Sequence, residues 1–598
     1  MKSSKNKIDL ETYRHSLSHV LAMAVLELYP SAKLGIGPAI ENGFYYDFDF
    51  SFAENADLRG NKTISDKDLI KIEQKMRQII DKGLEFKQDK LTREEAIKEM
   101  KLAGQNYKVE LINDLPKSED ITFYQTGEFE DLCKGLHIKS TKDINQKSFK
   151  LMSVAGAYWK GDEKNPQMTR IYGVGFETEK ELASYLKLLE QAEKRDHRKI
   201  GKEMDLFSFH EQGPGFVFWH DKGWFVFQKM LEYWRKIHRR EGYEEVNTPI
   251  MLSESVWKQS GHLKSFADKM YSAKSPDSKE LNYRIKPMNC DGGILIYKNS
   301  MHSYKDLPLK MGEIGLVHRF ESSGEVHGLM RLRQFTQDDA HIYCRDEQVK
   351  NEIVKVIDLC FEVYKTFGLT IDHIELSTRP DNSIGSDKVW DTAEKIMKEI
   401  LKENKIEHRI NEGDGAFYGP KFDFHLRDAI GRTWQCGTIQ LDFAQPENFD
   451  LFYIDEKGKK KRPIMIHRVI YGAIERFLGI FIENIAGEFP VWLAPEQVRI
   501  IPVSNKHNKV ASDFAGELKS CEIRVGIDGE NETVGNRIRL AEGQKIPYII
   551  VYGDKEAEGG KLAVRVRGQK DLESMTKDEL IEEIAENNEP KLIKGLGK

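Results

Sequence analysis

Met311-Gly-Glu-Ile-Gly-Leu-Val-His-Arg319-Phe-Glu321 runs out along one segment. After a short polar loop, Gly328-Leu-Met-Arg331-Leu-Arg-Gln-Phe335-Thr-Gln337-Asp-Asp339-Ala-His341 comes back. An arginine followed by an acid, a loop, and a return strand ending in acids is the pattern on which the reading of the fold turns. An arginine fork binds phosphate oxygens bidentately where a lysine cannot, so Arg319 is suited to a nucleotide. Taken singly it would more often be a solvated surface charge. Moving outward, Asn247-Thr-Pro249 lies upstream, and Gly472-Ala-Ile-Glu475-Arg476-Phe477 downstream carries a second arginine.

A chain of 598 residues exceeds what one hydrophobic core organises, so several domains are expected. With 39% hydrophobic and 31% charged residues it has an ordinary soluble composition, and no stretch has the apolar length needed to cross a bilayer. The polar start Met1-Lys-Ser-Ser-Lys-Asn-Lys-Ile-Asp does not read as a secretory signal, which makes the cytoplasm the default location and a membrane partner unexpected. A net charge of -6 offers no global attraction to nucleic acid, so RNA contact must come from local basic patches. Six scattered cysteines lack the density of a disulfide framework and point to reduced thiols.

Patterning predicts an α+β multidomain chain. Residues 1–177 form an α+β unit, with a helix bearing His15 and His19, then Gly43-Phe-Tyr-Tyr-Asp-Phe-Asp-Phe50 alternating like a half-buried strand. A capping box from Thr178 to Glu181 opens a connecting helix over 178–203. The segment 204–492 alternates apolar helices with strands such as Leu369-Thr-Ile-Asp-His-Ile-Glu-Leu376 and Lys421-Phe-Asp-Phe-His-Leu426. In 493–598 strands and helices alternate, predicting a parallel-sheet α/β domain whose last helix begins with a second capping box, Thr576 to Glu579.

Three ordered elements together resemble motifs 1, 2 and 3 of the class II aminoacyl-tRNA synthetases: Asn247-Thr-Pro249, the Arg319 to His341 pair, and Gly472 to Phe477. The resemblance implies an antiparallel-sheet catalytic core and a homodimer. It assigns Arg319 to the α-phosphate and Arg476 to the γ-phosphate of ATP, Glu321 to the adenine amino group and Phe335 to its ring. Arg331 and Gln435 join the ATP site, and Mg2+ accompanies ATP. Cys290 in Lys286-Pro-Met-Asn-Cys290, His341, and His467 in Met465-Ile-His467 narrow the resemblance to threonyl-tRNA synthetases. Singly each would more often be a packing residue. In the family they hold one Zn2+ with a coordination position left open.

Threonine and valine are nearly isosteric, and an apolar pocket separates such pairs only about a hundredfold. A zinc ligated by the amino group and hydroxyl would leave valine one ligand short. Gln337, Asp339, Tyr418 and Gln440 line the threonine pocket in this family, and His262 in Ser260-Gly-His262 matches a residue that assists transfer of threonine to the 3' end of tRNA.

Serine keeps the hydroxyl and differs by one methyl, worth only about 1–3 kcal/mol, so a second site is needed. His15-x-x-x-His19 puts two imidazoles on one helical face, and Asp131-Leu-Cys133-Lys-Gly-Leu-His137 adds a thiol and a third imidazole. With Tyr107-Lys108 these resemble the serine-editing domain of bacterial-type threonyl-tRNA synthetases. Counting ligands alone leaves a metal reading and a hydrolytic one equally open. The resemblance favours metal-free hydrolysis of the seryl ester among His15, Lys108 and His137. At the C-terminus, Glu556 and Arg565 occupy positions that read anticodon bases in the family, with Arg537, Arg539 and Lys545 available to phosphates.

The chain departs from the family in three respects. The resemblance begins at about residue 12, so the small ubiquitin-like domain that usually precedes the editing domain is expected to be missing, Cys290 is followed by Asp291-Gly-Gly instead of Pro-Gly-His, and Leu136 replaces the proline before His137. The expected activity is ATP-dependent charging of threonine tRNA with hydrolytic editing of seryl-tRNA. The rivals are an RNA-binding regulator that keeps the fold without activation, and a prolyl- or seryl-type class II enzyme.

Overall fold

The computed structural model describes residues 9–51, 64–274, 282–428, 430–529 and 532–590. The chain divides into two units, one ending at Glu190 and the other beginning at Gln191.

In the first unit, helix α1 (Leu10–Leu28) begins at Asp9, whose carboxylate accepts the Thr12 N–H at 3.0 Å. Buried residues run continuously from Ser16 to Val25, and a helix apolar around so much of its girth belongs in a core. It contacts strand β1 (Gly43–Asp49) and helix α2 (Asp66–Lys82). A second, three-stranded antiparallel sheet is built from β2 (Lys87–Leu91), β3 (Ile121–Thr126) and β4 (Phe129–Leu132), with α3 (Asn106–Asp114) between β2 and β3 in the chain. Strands β5 (Phe149–Tyr158) and β6 (Gln167–Gly175) complete the main antiparallel sheet, ordered Lys33–Leu34, β1, β6, β5. The alternation in β1 predicts one wet face, yet all its residues except Tyr45 are buried. The polar face is covered because its carboxylates have partners: Arg170 Nε donates to Asp47 at 2.6 Å and Tyr107 OH to Asp49 at 2.8 Å. Buried polar groups persist when they are hydrogen-bonded.

The expected connecting helix is two helices. The capping box forms, with Thr178 N donating to Glu181 at 3.1 Å and Glu181 N to Thr178 Oγ1 at 3.2 Å, but α4 (Glu179–Arg195) ends before Asp196. That residue caps a new helix, His197–Glu203, by accepting from Arg198 N at 2.8 Å.

In the second unit, α5 (Asp221–Arg240) and α6 (Cys290–Lys298) precede strands β7 (Leu309–His318) and β8 (Gln334–Cys344). After α7 (Val349–Thr366) come β9 (Thr370–Ser377), β10 (Lys421–Arg427), β11 (Thr433–Asp442) and β12 (Ile464–Val469), then α8 (Ile474–Ile485). The eight-stranded sheet runs Glu244–Glu245, β7, β8, β12, β11, β10, β9, Arg409–Asn411. Its six long strands pair antiparallel, and only the short edge strands are parallel to their neighbours. Phe367 centres the core beneath, edge-on to Tyr471, Phe477, Phe481 and Trp492 at 5.1 to 5.8 Å. Such pairs add about 0.5–1.5 kcal/mol each beyond area burial.

The C-terminal sheet is mixed rather than parallel throughout. β13 (Val498–Pro502) lies parallel to Val525–Ile527 and to β14 (Tyr548–Tyr552), with α9 (Asn508–Ser520) following β13. β15 (Leu562–Val566) and Glu573–Met575 are then added antiparallel. The strands on either side of β15 arrive without a crossover helix, so parallel pairing has no connection to support it. The last helix, α10 (Lys577–Asn587), opens on the predicted box, Thr576 N donating to Glu579 at 2.7 Å.

Candidate active site

A cavity of about 570 Å³ opens on the face of the eight-stranded sheet. Arg319, Glu321, Arg331, Phe335, Gln337, Asp339, Tyr418, Gln435, Gln440 and Arg476 all contribute to its wall, together with Cys290 and His467. The sheet register explains the convergence. β7 pairs with β8 so that Val317 faces Phe335, β8 pairs with β12 so that His341 faces His467, and β12 pairs with β11 so that Gln440 faces His467. Residues two apart share a face, which brings Phe335, Gln337, Asp339 and His341 into one row.

Both arginines are held by backbone carbonyls. Arg319 donates Nε to Pro287 O at 3.1 Å and stacks over Phe335 at 5.2 Å. Arg476 donates to Met330 O at 2.8 Å and Gln435 O at 3.1 Å. Neither has a carboxylate within ion-pair distance among the described residues. Burial lowers both pKa values, but an arginine starts so high that each keeps its charge. Two pre-positioned, unneutralised guanidinium groups on one cavity wall suit a polyanion such as a nucleotide triphosphate. Glu321 is held by Lys269 at 2.8 Å, and Arg331 is exposed, 3.4 Å from Glu325.

Two buried carboxylates that the motif reading left without a role lock the arginines in place. Asp338 accepts from Ile470 N at 3.0 Å and Gly472 N at 2.9 Å, tying the second arginine's segment to β8. Gly472 has φ +81°, and a Cβ there would meet Cys436 O at 2.4 Å, so only glycine makes this turn. Glu475 accepts the Thr336 N–H at 2.9 Å. Burial pushes both carboxyls up to about 7. Lys421 is a third omission: it lines the cavity and pairs with Asp423 at 2.6 Å.

Cys290 and His467 line the cavity floor and His341 stands with them, the ligand atoms of the three lying within 4.8 Å of one another and all three residues buried. This donor set fits a borderline cation such as Zn2+. His341 Nε2 is buried with no hydrogen-bond partner among the described residues, and Asp339 Oδ1 lies 3.8 Å away. His467 Nε2 is bonded to Asp442 at 2.8 Å, leaving Nδ1 to face the site, the outer-shell arrangement that orients metal-bound histidines. Burial holds His341 down at about 4, hence neutral, and pushes the Cys290 thiol up. Beside them Asn289 Nδ2 donates to Asp339 at 3.2 Å, in space kept open by Gly315, where a Cβ would sit 2.1 Å from the Asn289 amide oxygen. Tyr418 OH donates to Gln440 Oε1.

His262 is not on the cavity wall. It is fully buried behind the thiol, with Nε2 3.9 Å from Cys290 Sγ, and Nδ1 2.7 Å from Ser260 Oγ and 3.4 Å from Asp291. Asp291 replaces the family's proline and has no exposure, so the carboxylate faces this histidine and not solvent.

In the first unit, His15, His19, Cys133 and His137 converge, with ligand atoms within 4.8 Å of one another. Hydrogen bonding sets two tautomers. Leu136 O can only accept, so His15 Nδ1 donates to it at 3.2 Å. Ser16 Oγ gives its one proton to Thr12 O at 2.8 Å, so it accepts from His137 Nδ1 at 3.1 Å. Both Nε2 lone pairs therefore point at Cys133 Sγ, each 3.3 Å away. Burial keeps both imidazoles neutral and pushes the thiol up to about 12. Lys108 and Asp131 form a buried ion pair at 2.5 Å, with Tyr46 OH accepting from Lys108 at 3.0 Å, and His19 Nε2 lies 3.8 Å from Asp131. Leu136, which stands in place of the family's proline, is 73% exposed.

The C-terminal expectations need one correction. Arg537 is not available to phosphates: it is buried, donating to Pro502 O at 2.9 Å and Asp528 O at 2.6 Å. A charge needed to satisfy two inward carbonyls cannot also face RNA. Arg539 is exposed, and Lys545 lies 3.6 Å from Glu488. Glu556 spends one carboxylate oxygen on Gly553 N at 2.9 Å, and Arg565 lies 4.0 Å from Glu542.

Three family models match: the class II tRNA synthetase core domain (G, H, P, S and T) over residues 271–485, the anticodon binding domain over 497–587, and the threonyl and alanyl tRNA synthetase second additional domain over 121–172. The threonine–tRNA ligase of Carboxydothermus hydrogenoformans is 52% identical over 574 residues, covering 96% of this chain and 88% of its own. That of Clostridium botulinum strain Kyoto is 53% identical over 573 residues, covering 96% and 88%. Among solved structures, the RNA binding domain of threonyl-tRNA synthetase from Cryptosporidium parvum superposes with a TM-score of 0.63 at 35% identity, covering 67% of this chain and 100% of its own. With its synthetase core, its second additional domain and half its residues shared end to end with such relatives, the chain belongs to the threonine–tRNA ligase family of class II aminoacyl-tRNA synthetases.

Proposed function

We propose that the chain activates threonine with ATP and Mg2+, transfers it to the 3' end of its tRNA, and hydrolyses mischarged seryl-tRNA at a separate site. One observation carries the first part: two unpaired arginines share a cavity wall whose floor gathers a thiol and two imidazoles. In the activation step the threonine carboxylate attacks the α-phosphorus and pyrophosphate leaves. Arg319 stabilises the charge that develops on the α-phosphate oxygens and Arg476 that on the γ-phosphate. Glu321 accepts from the adenine amino group while the ring lies against Phe335. Removing one such donor typically costs about 10²–10³ in rate.

Cys290, His341 and His467 would hold one Zn2+, which when bound would supply coordination sites for the amino group and hydroxyl of the substrate. Asp339, oriented by Asn289, and Gln337 take the remaining amino protons, and Tyr418 with Gln440 closes the pocket around the side chain. His262, fully buried with Nε2 3.9 Å from Cys290 Sγ, acts as a positioning residue for that thiol.

For editing, the inward lone pairs of His15 and His137 are two bases on which a water attacking the seryl ester can lean, and Lys108 with Asp131 supplies a fixed charge pair beside them. As the resemblance to the serine-editing domain of bacterial-type enzymes implies, this hydrolysis would need no metal. The boundaries 1–177, 178–203, 204–492 and 493–598 are the proposed editing, connecting, catalytic and anticodon segments, with Glu556 and Arg565 reading bases. A homodimer through the Asn247-Thr-Pro249 segment is supported by the exposed apolar residues next to it, Ile250 and Met251. No helix among the described residues is long and apolar enough to cross a membrane, and we assign the chain to the cytoplasm.

The test is threonine-dependent exchange of pyrophosphate into ATP by the folded, zinc-loaded chain. Exchange with threonine is expected; none would identify a regulator that keeps the fold without activation, and exchange with another amino acid instead would identify a different specificity.

A further inference from the structure

The short helix His197–Glu203 opens on a histidine that belongs to neither site described above. His197 has no exposure, and both of its ring nitrogens are engaged. The Leu329 N–H can only donate, so Nε2 accepts it at 2.9 Å with its lone pair. Nδ1 therefore carries the proton and donates to Glu483 Oε1 at 2.7 Å. The ring bridges a carboxylate on α8 to a backbone amide of the loop between β7 and β8.

That loop is part of the cavity wall, which Leu329, Met330, Arg331 and Leu332 all line. In the turn His327–Arg331 the Met330 and Arg331 N–H groups both fold back onto His327 O, at 3.0 and 3.3 Å, so the Leu329 N–H must find its acceptor outside the loop. A buried N–H without an acceptor is rare and costly, and the imidazole supplies what the loop itself cannot. Room for the ring is kept by Gly328, whose φ is +48° and at which a Cβ would lie 2.2 Å from His197 Nε2.

Glu483 is fixed in turn, its Oε2 accepting from Arg432 Nη2 at 2.7 Å. Helix α8 holds the same loop a second time, because Arg476 near its start donates to Met330 O at 2.8 Å. Positions 476 and 483 lie on one helical face, about 10.5 Å apart along the axis. Two neighbouring residues of the loop are therefore gripped from the two ends of one rigid element, Met330 directly and Leu329 through His197.

The geometry points to His197 as a positioning residue for nucleotide binding. By accepting the Leu329 N–H it sets the path of Leu329 to Arg331, and with it the carbonyl that aims Arg476 and the approach of Arg331 to the cavity. This role rests on the reading of the cavity as an ATP site. The connecting segment is more than a spacer, since its second helix supplies part of the order of the ATP loop.

The experiment is threonine-dependent exchange by the full chain at varied ATP and at varied threonine, with Tm measured alongside. His197→Asn keeps an amide N–H near the Nδ1 position for Glu483 but does not reach Leu329 N. His197→Gln puts a carbonyl oxygen near the Nε2 position, where it can accept the Leu329 N–H. His197→Asn is expected to raise the KM for ATP about tenfold with the KM for threonine unchanged, and His197→Gln to bring the ATP KM back near the parent's. A merely structural histidine would lower Tm in both variants without separating ATP from threonine. Gly328→Ala perturbs the same contact from the loop's side and is expected to raise the ATP KM alone, even where His197→Asn does not fold. This role for His197 is overturned by a parent-like ATP KM in folded His197→Asn or in Gly328→Ala, by a matching rise in the threonine KM, or by His197→Gln as impaired as His197→Asn. No exchange by the parent would instead sink the activation reading, and this role with it.

Discussion

Replacing Asp442 by asparagine isolates the support of the proposed zinc from its ligands. Asp442 has no exposure. One oxygen accepts from Ala444 N at 2.7 Å and Gln445 N at 3.0 Å, while the other receives His467 Nε2–H at 2.8 Å. An asparagine can keep its carbonyl on the two backbone N–H groups, but its amide must then point N–H at N–H. His467 can relieve that conflict only by moving its proton to Nδ1, the nitrogen facing the site, which removes the lone pair a metal needs. Loss of such an outer partner costs about 10- to 100-fold in metal affinity, or about 1.4–2.8 kcal/mol. The fold should survive, because the capping bonds at Ala444 and Gln445 are retained. Chelator competition measures the affinity directly, and exchange assays at limiting and saturating Zn2+ should show a loss that excess metal restores. Unchanged affinity in Asp442→Asn, with the chain folded, would refute the assignment of His467 Nδ1 as a ligand.

Three further outcomes follow from the same geometry. Arg476→Lys keeps a charge but loses the fork spanning Met330 O and Gln435 O, and should lower kcat for threonine-dependent exchange about 10²-fold or more; a loss below threefold would remove it from the phosphate site. His15→Ala with Cys133→Ala should let seryl-tRNA accumulate while threonine activation continues, and equal serine release by parent and variant would end the editing assignment. Glu475 rises by burial from an ordinary 4.5 to about 7. The folded state therefore holds a proton that the unfolded state has released, and stability falls as pH rises from about 4.5 to 7. At about 1.4 kcal/mol per pH unit over roughly 2.5 units the effect reaches about 3 kcal/mol. Glu475→Gln should thus lose less Tm between pH 5 and 7.5 than the parent, and parallel pH profiles would contradict the raised pKa.

Much of the fold was legible because its signals are local. The Arg319 to His341 pair predicted two strands and a loop, and both capping boxes formed where a threonine preceded a glutamate by three residues. What local patterning could not supply was register and cover. The exposed face predicted for β1 is buried because Arg170 and Tyr107, distant in sequence, donate hydrogen bonds to Asp47 and Asp49. The C-terminal sheet is mixed because the chain after β14 turns back through only the four-residue helix Asp554–Ala557, too short for a crossover, which strand spacing alone does not reveal. The roles of Asp338, Glu475 and Lys421 were hidden for the same reason: each depends on which backbone or carboxylate the sheet brings opposite. Arg537 and His262 show the converse, since a residue type suited to RNA or catalysis was drawn inward by unsatisfied carbonyls and by the Ser260–Asp291 pair.

The most direct test measures ATP–pyrophosphate exchange with threonine, serine and valine by the same folded preparation, before and after zinc removal. Selection through a metal at Cys290, His341 and His467 predicts exchange with threonine, weaker exchange with serine and almost none with valine, all lost on chelation and restored by Zn2+. Threonine activation that persists undiminished in the metal-free chain, or valine activated as readily as threonine, would contradict it.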